Sequence, residues 1–345
     1  MALHRRWCFN SQKREPIRMP MTLTVHDSQY PEQVAMQCRQ GLRARKLPGR
    51  LLYDSPAQAQ RWLAYHQAYS PSRTEPELLA LYERAFNAAL RLILQAQPLH
   101  YVSLGCGGGT KDALFVRRAL HHGGALHVSP TDTSTALVLE TMLRLQAAFP
   151  ALGASPLVVD LAAEPDLHPW LARQEADGAS RVFGCFGIIP NFDHAALLSY
   201  LRRLMRPDDL LLLSANLSPG PYGSAAAQRI LPQYDNPLAR AWFAGLLDSL
   251  GFARSDLRLS VQARSLRADG HIWRLQADAH VLQDVKLALY EESFDFRAGE
   301  ALEVFFSNRF TPAALPQVLD EAGFEVRQTW VLASQEEGIY LCQRS

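Results

Sequence analysis

The chain has 345 residues, of which 48% are apolar and 20% charged, and its formal net charge is +1. This length and composition are ordinary for a globular protein of one or two domains, and the near-neutral charge excludes the broad basic surface that nucleic acids or anionic membranes select. No apolar run is long enough to predict a membrane span. The five cysteines are scattered and form no C-x-x-C pair. We therefore expect a cytoplasmic protein with neither a disulfide framework nor a bound metal.

Residues 1–20 are basic but lack the apolar segment of a secretory signal. Met19 and Met21 offer alternative starts to the chain. We expect residues 1–20 to form a disordered or spurious extension.

Helices are predicted first, over residues 31–96, and most clearly in TEPELLALYERAFNAALRLILQA, where apolar residues recur at spacings of three and four. Short apolar runs follow at even intervals, and helical patterns alternate with them: the runs are YVSLG, ALHVSPTD, PLVVDL, RVFGCFGII and DLLLLSAN. This alternation predicts βα units around a parallel sheet that is covered on both faces, which is a doubly wound α/β fold.

The pattern changes near residue 217, where the turn-rich SPGPYGS leads into a predicted helix around NPLARAWFAGLLDSLGF. Alternating polar and apolar segments come next and are typical of antiparallel strands. The end of the chain predicts one helix and then two strands around SQEEG. An inserted α+β segment is therefore expected to interrupt the α/β core.

The first predicted strand runs into a four-glycine loop, LGCGGGTKD at residues 104–112, and then into a helix. Such a loop lets backbone approach a ligand that a Cβ would exclude. A Walker phosphate loop needs a hydroxyl residue after its lysine, whereas Asp112 follows Lys111 here. A dinucleotide fingerprint is incomplete, because Thr110 stands at the third glycine position and the next strand-end acid, Asp132, comes late.

S-adenosylmethionine (SAM) suits the loop better, since it carries no phosphate but presents a carboxylate, a ribose diol and an adenine amine. Lys111 offers a cation for the carboxylate. Asp132 and Asp160 each follow a predicted strand, at the edge where open α/β sheets bind ligands. Each acid alone is typical of a solvated loop or a helix cap, but their joint spacing favours a SAM site.

With these segments in place, the chain resembles the SAM-dependent histidine Nα-methyltransferases of ergothioneine biosynthesis. Besides the glycine loop, the matching segments are LLYDSPAQAQRWL, YSPSRTE, SPTDTS, FGIIPNF, LPQYDNP and EVFFSNRFTP, in the expected order. The resemblance implies a class I methyltransferase core over residues 74–216 and 310–345. It also implies a second, substrate-binding domain over residues 21–73 and 217–309, with the amino-acid substrate between the two.

The resemblance further implies a role for each matching residue. The SAM-binding set is Gly105, Cys106 and Gly107 at the methionine half, Lys111 at its carboxylate, Asp132 at the ribose and Asp160 at the adenine. The catalytic set, which holds the α-amino and carboxylate groups of the substrate, is Tyr69, Asn191 and Tyr234. The set facing the substrate side chain is Tyr53, Phe305 and Ser307.

Phe305 departs from the family pattern, since histidine-methylating members carry a glutamate there that faces the imidazole. A phenyl ring accepts no hydrogen bond from an imidazole, and a buried polar ring without a partner costs about 1–3 kcal/mol. The sequence therefore predicts methylation of the α-amine of an aromatic or aliphatic amino acid rather than of histidine, within natural-product biosynthesis.

Two other functions stay open at this point. If Phe305 and Phe306 fill the pocket, SAM becomes the sole substrate and cyclises to azetidine-2-carboxylate, releasing methylthioadenosine. The third possibility is a non-catalytic SAM-binding protein, against which the presence of Lys111, Asp132 and Asn191 argues. The expected protein is a monomer that acts on a small molecule and binds neither nucleic acid nor membrane.

Overall fold

The structure is a computed structural model that describes residues 21–70, 76–93, 97–121, 123–219 and 228–345. The extension expected over residues 1–20 lies outside the described residues. The same holds for the end of the YSPSR segment and for most of the SPGPYGS turn.

A short strand, β1 (Thr24–Val25), precedes three helices, which confirm the helical prediction for this region: α1 (Pro31–Ala44), α2 (Pro56–Tyr69) and α3 (Pro76–Arg91). Proline opens each helix, at a position whose N–H has no partner within a helix. At the start of α2, the Ser55 hydroxyl accepts a hydrogen bond from the Gln58 N–H at 3.2 Å. Over the part of the chain that the structure describes, no helix is both long and apolar enough to cross a bilayer.

Alternating strands and helices then build the core of the molecule. They are β2 (Leu99–Leu104), α4 (Thr110–Leu120), β3 (Leu126–Asp132), α5 (Thr135–Ala148), β4 (Gly153–Ala154), β5 (Leu157–Val158), α6 (His168–Gln174), β6 (Ser180–Phe186), α7 (His194–Leu204) and β7 (Leu210–Asn216). Most residues of β2, β3, β6 and β7 are buried on both faces of the sheet. That burial is the physical reason for the continuous apolar runs in the sequence.

The rest of the chain contains the predicted antiparallel strands and the predicted terminal helix with its two strands. These elements are α8 (Pro237–Leu250), β8 (Leu257–Ser265), β9 (Ile272–Val281), β10 (Val285–Leu289), β11 (Glu292–Phe296), β12 (Ala301–Phe310), α9 (Ala314–Glu321), β13 (Phe324–Val331) and β14 (Glu337–Arg344). Strands β12, β9 and β8 form one antiparallel sheet, and β10 pairs with β11.

The large sheet has the strand order β1-β5-β3-β2-β6-β7-β14-β13, with β4 beside β3. Its strands are parallel from β1 to β7, while β14 runs antiparallel to both β7 and β13. The chain passes outward from β2 through β3 in one direction and from β6 through β7 in the other. The predicted doubly wound sheet is confirmed, and its switch point lies between β2 and β6, where such sheets bind ligands.

The insertion leaves and rejoins the core at one place, because Leu217 bridges to Phe310 and the Ser218 N–H donates to the Phe310 carbonyl at 2.8 Å. Its hydrophobic core is shared with the N-terminal segment: Leu42 and Leu52 lie in the same buried cluster as Trp242. In contrast, β1 pairs with β5 in the large sheet. The inserted segment, between Leu217 and Phe310, thus lies at the carboxyl edge of the large sheet. It packs there with residues from α1 and from the turn after α1.

Candidate active site

The glycine loop joins β2 to α4 at the switch point of the sheet. Gly105, Gly107 and Gly109 have φ values of +68°, +56° and +67°, in the left-handed region that glycine adopts without strain. A Cβ on Gly109 would lie 2.9 Å from the Cα of Thr141 in α5, so the backbone of the loop is closely packed as well as unusually turned. The Cys106 N–H donates to the Thr131 carbonyl at 2.9 Å and ties the loop to β3.

Asp132, the last residue of β3, is bound to this loop. One of its carboxylate oxygens accepts from the Gly107 N–H at 3.0 Å and the other from the Ser134 N–H at 2.9 Å. Burial raises the pKa of this carboxyl to about 6, although both hydrogen bonds act to lower it. Each oxygen retains a lone pair that can accept a further hydrogen bond, as a ribose diol would require.

Lys111 lies in the first turn of α4 and is directed toward β14. Its Nζ is 3.4 Å from the Glu337 carboxylate and 4.7 Å from the centre of the Tyr82 ring. Glu337 is buried and also accepts a hydrogen bond from the Tyr82 hydroxyl. Sequence reasoning missed Glu337, which is 226 residues away from Lys111 along the chain. A SAM carboxylate contact by Lys111 stays a prediction, and the contact that the structure contains is this ion pair.

Asp160 follows β5 and caps the short 3-10 helix Leu161–Ala163, because its carboxylate accepts from the Ala162 N–H at 3.0 Å. Its other oxygen accepts from Gln37 at 3.1 Å and lies 3.8 Å from the Arg50 guanidinium. Asp160 therefore links the large sheet to the N-terminal segment, and its adenine contact remains a prediction.

Tyr53 and Asn191 form a pair between the cofactor edge and the inserted segment. The Tyr53 hydroxyl shares a hydrogen bond with the Asn191 side chain. Burial raises the pKa of Tyr53, and the negative charge of Asp132 adds to the rise, so the phenol stays neutral. Asn191 ends the 3-10 helix Ile189–Asn191 that follows β6, on the ligand-binding edge of the sheet.

Strand β12 presents alternate residues to the group formed by Tyr53, Asn191 and Tyr234, a region called the cleft below. Because side chains alternate across a strand, Phe305, Ser307 and Arg309 share one face. The Tyr234 hydroxyl lies 3.3 Å from the Ser307 oxygen, to which it donates, and it accepts from Arg309 at 2.5 Å. Phe306 lies on the other face, with the Arg274 guanidinium 4.2 Å from its ring centre.

Phe305 is 7% exposed and is enclosed by other aromatic rings. Its ring centre lies 5.6 Å from that of Tyr234, 5.3 Å from Phe243 and 5.5 Å from Trp242, and the first two rings are stacked on it. At the position where the resemblance implies a carboxylate, the structure thus has an apolar wall.

Tyr69, the last residue of α2, contacts this cluster through Tyr65, whose ring centre is 5.8 Å away. Tyr65 in turn stacks on Trp242 at 5.6 Å and shares a hydrogen bond with Tyr234. Sequence reasoning did not single out Tyr65. The available signal was its spacing of four residues from Tyr69, which places both rings on one face of a helix.

These features define the class of the protein. A glycine loop at the switch point of a doubly wound sheet, a strand-end acid bound to its backbone and a cleft covered by an inserted segment form a class I methyltransferase fold with a site for SAM. Its cleft holds the predicted residues Tyr53, Asn191, Tyr234, Phe305 and Ser307.

Comparison with known proteins gives the family. The chain belongs to the SAM-dependent, histidine-specific methyltransferases, whose family pattern matches residues 34–344. The predicted family and the predicted SAM cofactor are thereby confirmed.

The proteins similar to the chain include two relatives and a solved structure, described next. It is 24% identical over 310 residues to "N-methyltransferase fsqC" of Aspergillus fumigatus, covering 87% of this chain and 80% of that one. It is 25% identical over 297 residues to "Histidine N-alpha-methyltransferase" of Mycobacterium tuberculosis, covering 80% and 83%. A SAM-dependent methyltransferase structure from Clostridium acetobutylicum has a TM-score of 0.44 and 9% identity, and 83% of this chain and 98% of that one are covered.

Proposed function

We propose that this methyltransferase transfers the methyl group of SAM to the α-amine of a free amino acid with an aromatic or aliphatic side chain. The two relatives named above are both N-methyltransferases, and one of them is named for the α-nitrogen of histidine. The observation that carries the choice of side chain is Phe305, whose buried ring stacks with Tyr234 and Phe243 where histidine-methylating members have a glutamate.

The polar groups of the cleft suit the two ends of an amino acid. Bound SAM supplies an electrophilic methyl group on a sulfonium. The Asn191 carbonyl accepts a hydrogen bond from the substrate amine, and the Tyr53 hydroxyl, which pairs with Asn191, fixes the orientation of that amide. The Tyr234 hydroxyl donates to the substrate carboxylate. Catalysis is then largely a matter of orienting the amine lone pair in line with the methyl–sulfur bond.

The amine needs no strong general base at neutral pH. The pKa of an α-amine at a peptide N-terminus is near 8, and the neighbouring carboxylate of a free amino acid raises it further. A small neutral fraction of the substrate amine is therefore present at neutral pH, and this fraction attacks after losing its proton to water. Tyr53 stays protonated, because burial raises its pKa above the usual value for a phenol. Tyr53 is therefore assigned a positioning role.

The wall around Phe305 favours an apolar substrate side chain. The rings of Tyr234, Trp242 and Phe243 around it offer large apolar surfaces. An aromatic or aliphatic side chain gains from leaving water for such a wall, by about 1.5–3 kcal/mol. An imidazole in the same place leaves a ring nitrogen without a partner, at a cost of about 1–3 kcal/mol.

A second candidate function rests on the same ring. Phe305 is 7% exposed and is already packed against three other rings, so it occupies space that a substrate side chain would need. In this case the amine of SAM attacks its own Cγ, the Cγ–sulfur bond breaks, and azetidine-2-carboxylate and methylthioadenosine are formed with loss of one proton.

The test is incubation of the purified protein with SAM alone, and with phenylalanine, tyrosine, tryptophan, leucine or histidine added singly. Adenosylhomocysteine together with an N-methylated apolar amino acid is the expected result. Methylated histidine as the main product contradicts the assignment of Phe305. Methylthioadenosine formed at an enzymatic rate without an added amino acid selects the second function.

A matched variant controls the assay. Asn191→Leu removes the amine acceptor but leaves the glycine loop and Asp132 intact, so it should bind adenosylhomocysteine and transfer methyl groups at least tenfold more slowly. A role in natural-product biosynthesis, a cytoplasmic location and a monomeric state are further predictions that this assay does not address.

A further inference from the structure

Arg309, in β12, is a buried cation that has no acidic partner among the described residues. It is 1% exposed, and its Nη2 donates to the Tyr234 hydroxyl at 2.5 Å. No atom of the described part of the chain accepts a hydrogen bond from its Nε. Among the residues that the structure describes, no carboxylate forms an ion pair with this guanidinium, which is unusual because buried charges are normally paired.

The other two buried arginines of the described chain show the usual arrangement. The Arg181 side chain is 2% exposed and is hydrogen-bonded at two atoms to the carboxylate of Asp209. The Arg50 side chain is 3% exposed and lies 3.2 Å from Asp54 and 3.8 Å from Asp160. Arg309 differs from both in its missing acid and in its position at the proposed substrate cleft.

From this contrast we infer that Arg309 is the positive charge that compensates the α-carboxylate of the substrate, with the Tyr234 hydroxyl as the donor between them. The inference rests on the proposed function and narrows it: the substrate must carry a free carboxylate. Amino-acid amides and decarboxylated amines are therefore poor substrates, whatever their side chain.

The hydrogen bonds at Tyr234 explain why the arginine acts through this hydroxyl. A phenol has a single proton to donate. Because Arg309 donates to the phenol oxygen, the proton of Tyr234 is left to point away from the guanidinium. Its present acceptor, the Ser307 oxygen, is 3.3 Å away, which is long for an O–H···O bond and easily exchanged for a carboxylate. Donation by Arg309 also polarises the Tyr234 O–H bond and strengthens its bond to an anion. Arg309 is thus a positioning residue for the carboxylate.

The experiment compares acids with their amides. The wild-type protein, saturated with adenosylhomocysteine, is titrated calorimetrically with L-phenylalanine and L-tryptophan and with the carboxamide of each. The same titrations are made with Arg309→Met, which is neutral, and with Arg309→Lys, which keeps the charge. The affinity for adenosylhomocysteine and the melting temperature of each variant show whether it is folded.

We expect the wild type to bind an acid at least tenfold more tightly than its amide, a difference of about 1.4 kcal/mol. Arg309→Met should abolish this preference by lowering the affinity for the acid and not that for the amide. Arg309→Lys should keep part of the preference. If Arg309→Met fails to fold, Tyr234→Phe serves instead, since it keeps the ring and the arginine but should also weaken only the acids.

Three results of the binding titrations overturn the inference. They are equal wild-type affinity for acid and amide, no wild-type binding of either acid, and a loss in Arg309→Met that is the same for acid and amide. Failure of the proposed function is a separate result. If the acids bind with the expected preference but are not methylated, the carboxylate site stands and the reaction is wrong. If amides are methylated as fast as acids, the reaction stands and the assignment of Arg309 is wrong.

Discussion

Protonation of Asp132 should weaken cofactor binding in mildly acidic solution. The carboxylate sits at the end of β3, accepts from the Gly107 N–H at 3.0 Å and is predicted to hold the ribose diol of SAM. Ribose hydroxyls donate to an ionised carboxylate more strongly than to a neutral acid. Cofactor binding therefore selects the ionised form, and conditions that protonate Asp132 oppose it.

The magnitude follows from the pKa, which burial raises from 3.8 to about 6. At pH 5 roughly one molecule in eleven is ionised at this group, so the apparent dissociation constant should rise about tenfold from its value above pH 7. The effect on folding has the opposite sign. The native state releases this proton at a higher pH than the unfolded chain does, so the ionised carboxylate destabilises the fold above pH 6. This destabilisation decreases as the pH falls below the native pKa of about 6, and it is gone below the unfolded pKa of about 4.

The assay is calorimetric titration with adenosylhomocysteine at pH 7.5, 6.0 and 5.0 and constant ionic strength. Asp132→Asn should bind more weakly at pH 7.5, by about 1–3 kcal/mol, and should lose the pH dependence. Asp112→Asn is the matched control, since Asp112 is also a buried acid with a raised pKa but accepts from the Tyr101 hydroxyl rather than from the Gly107 N–H. A wild-type affinity that stays constant down to pH 5, or an Asp132→Asn variant that keeps the wild-type decrease, would refute this reasoning.

Two further predictions concern stability. Phe305→Ala should lower the free energy of unfolding, measured in urea, by about 3–5 kcal/mol, because it leaves a cavity among three rings. Phe306→Ala, on the opposite face of β12, should lower it clearly less. Equal losses in the two variants would contradict this assignment of the two faces. Lys111→Met should destabilise the protein by about 3–5 kcal/mol by leaving the buried Glu337 unpaired, and adding Glu337→Gln should restore stability. If Lys111 also binds the SAM carboxylate, the double variant will still bind adenosylhomocysteine weakly, and full recovery of affinity would exclude that role.

Much of the fold could be predicted because its signals are local. The helices up to α3 follow a spacing of three and four, and the central strands are continuous apolar runs because both faces of the sheet are covered. The glycine loop was equally readable, since the left-handed backbone of Gly105, Gly107 and Gly109 demands that residue type.

The charges of the cleft could not be predicted, because they depend on contacts between distant segments. Lys111 and its partner Glu337 are separated by 226 residues along the sequence, and Arg309 and Tyr234 by 75. Neither pair has a periodic or local sequence signal. Asp160 illustrates the same limit, since its position after a strand fits both a ligand contact and the cap that the structure contains.

The register of β12 decides between the two proposed functions more than any other feature. The resemblance places Phe305 in the substrate pocket, and the alternative with SAM as the sole substrate requires Phe306 to enter the pocket as well. A bulge between Glu303 and Phe305 shifts the pairing of β12 with β9. Since a shift of one residue exchanges the two faces of a strand, the bulge directs Phe305 to the cleft and Phe306 to the opposite face. Of these two phenyl rings, that of Phe305 then borders the cleft and that of Phe306 does not, which argues against a pocket filled by both. The same register brings the Ser307 hydroxyl and the Arg309 cation, which has no acidic partner among the described residues, to the face of that ring. This combination fits the proposed substrate, with its apolar side chain and free carboxylate.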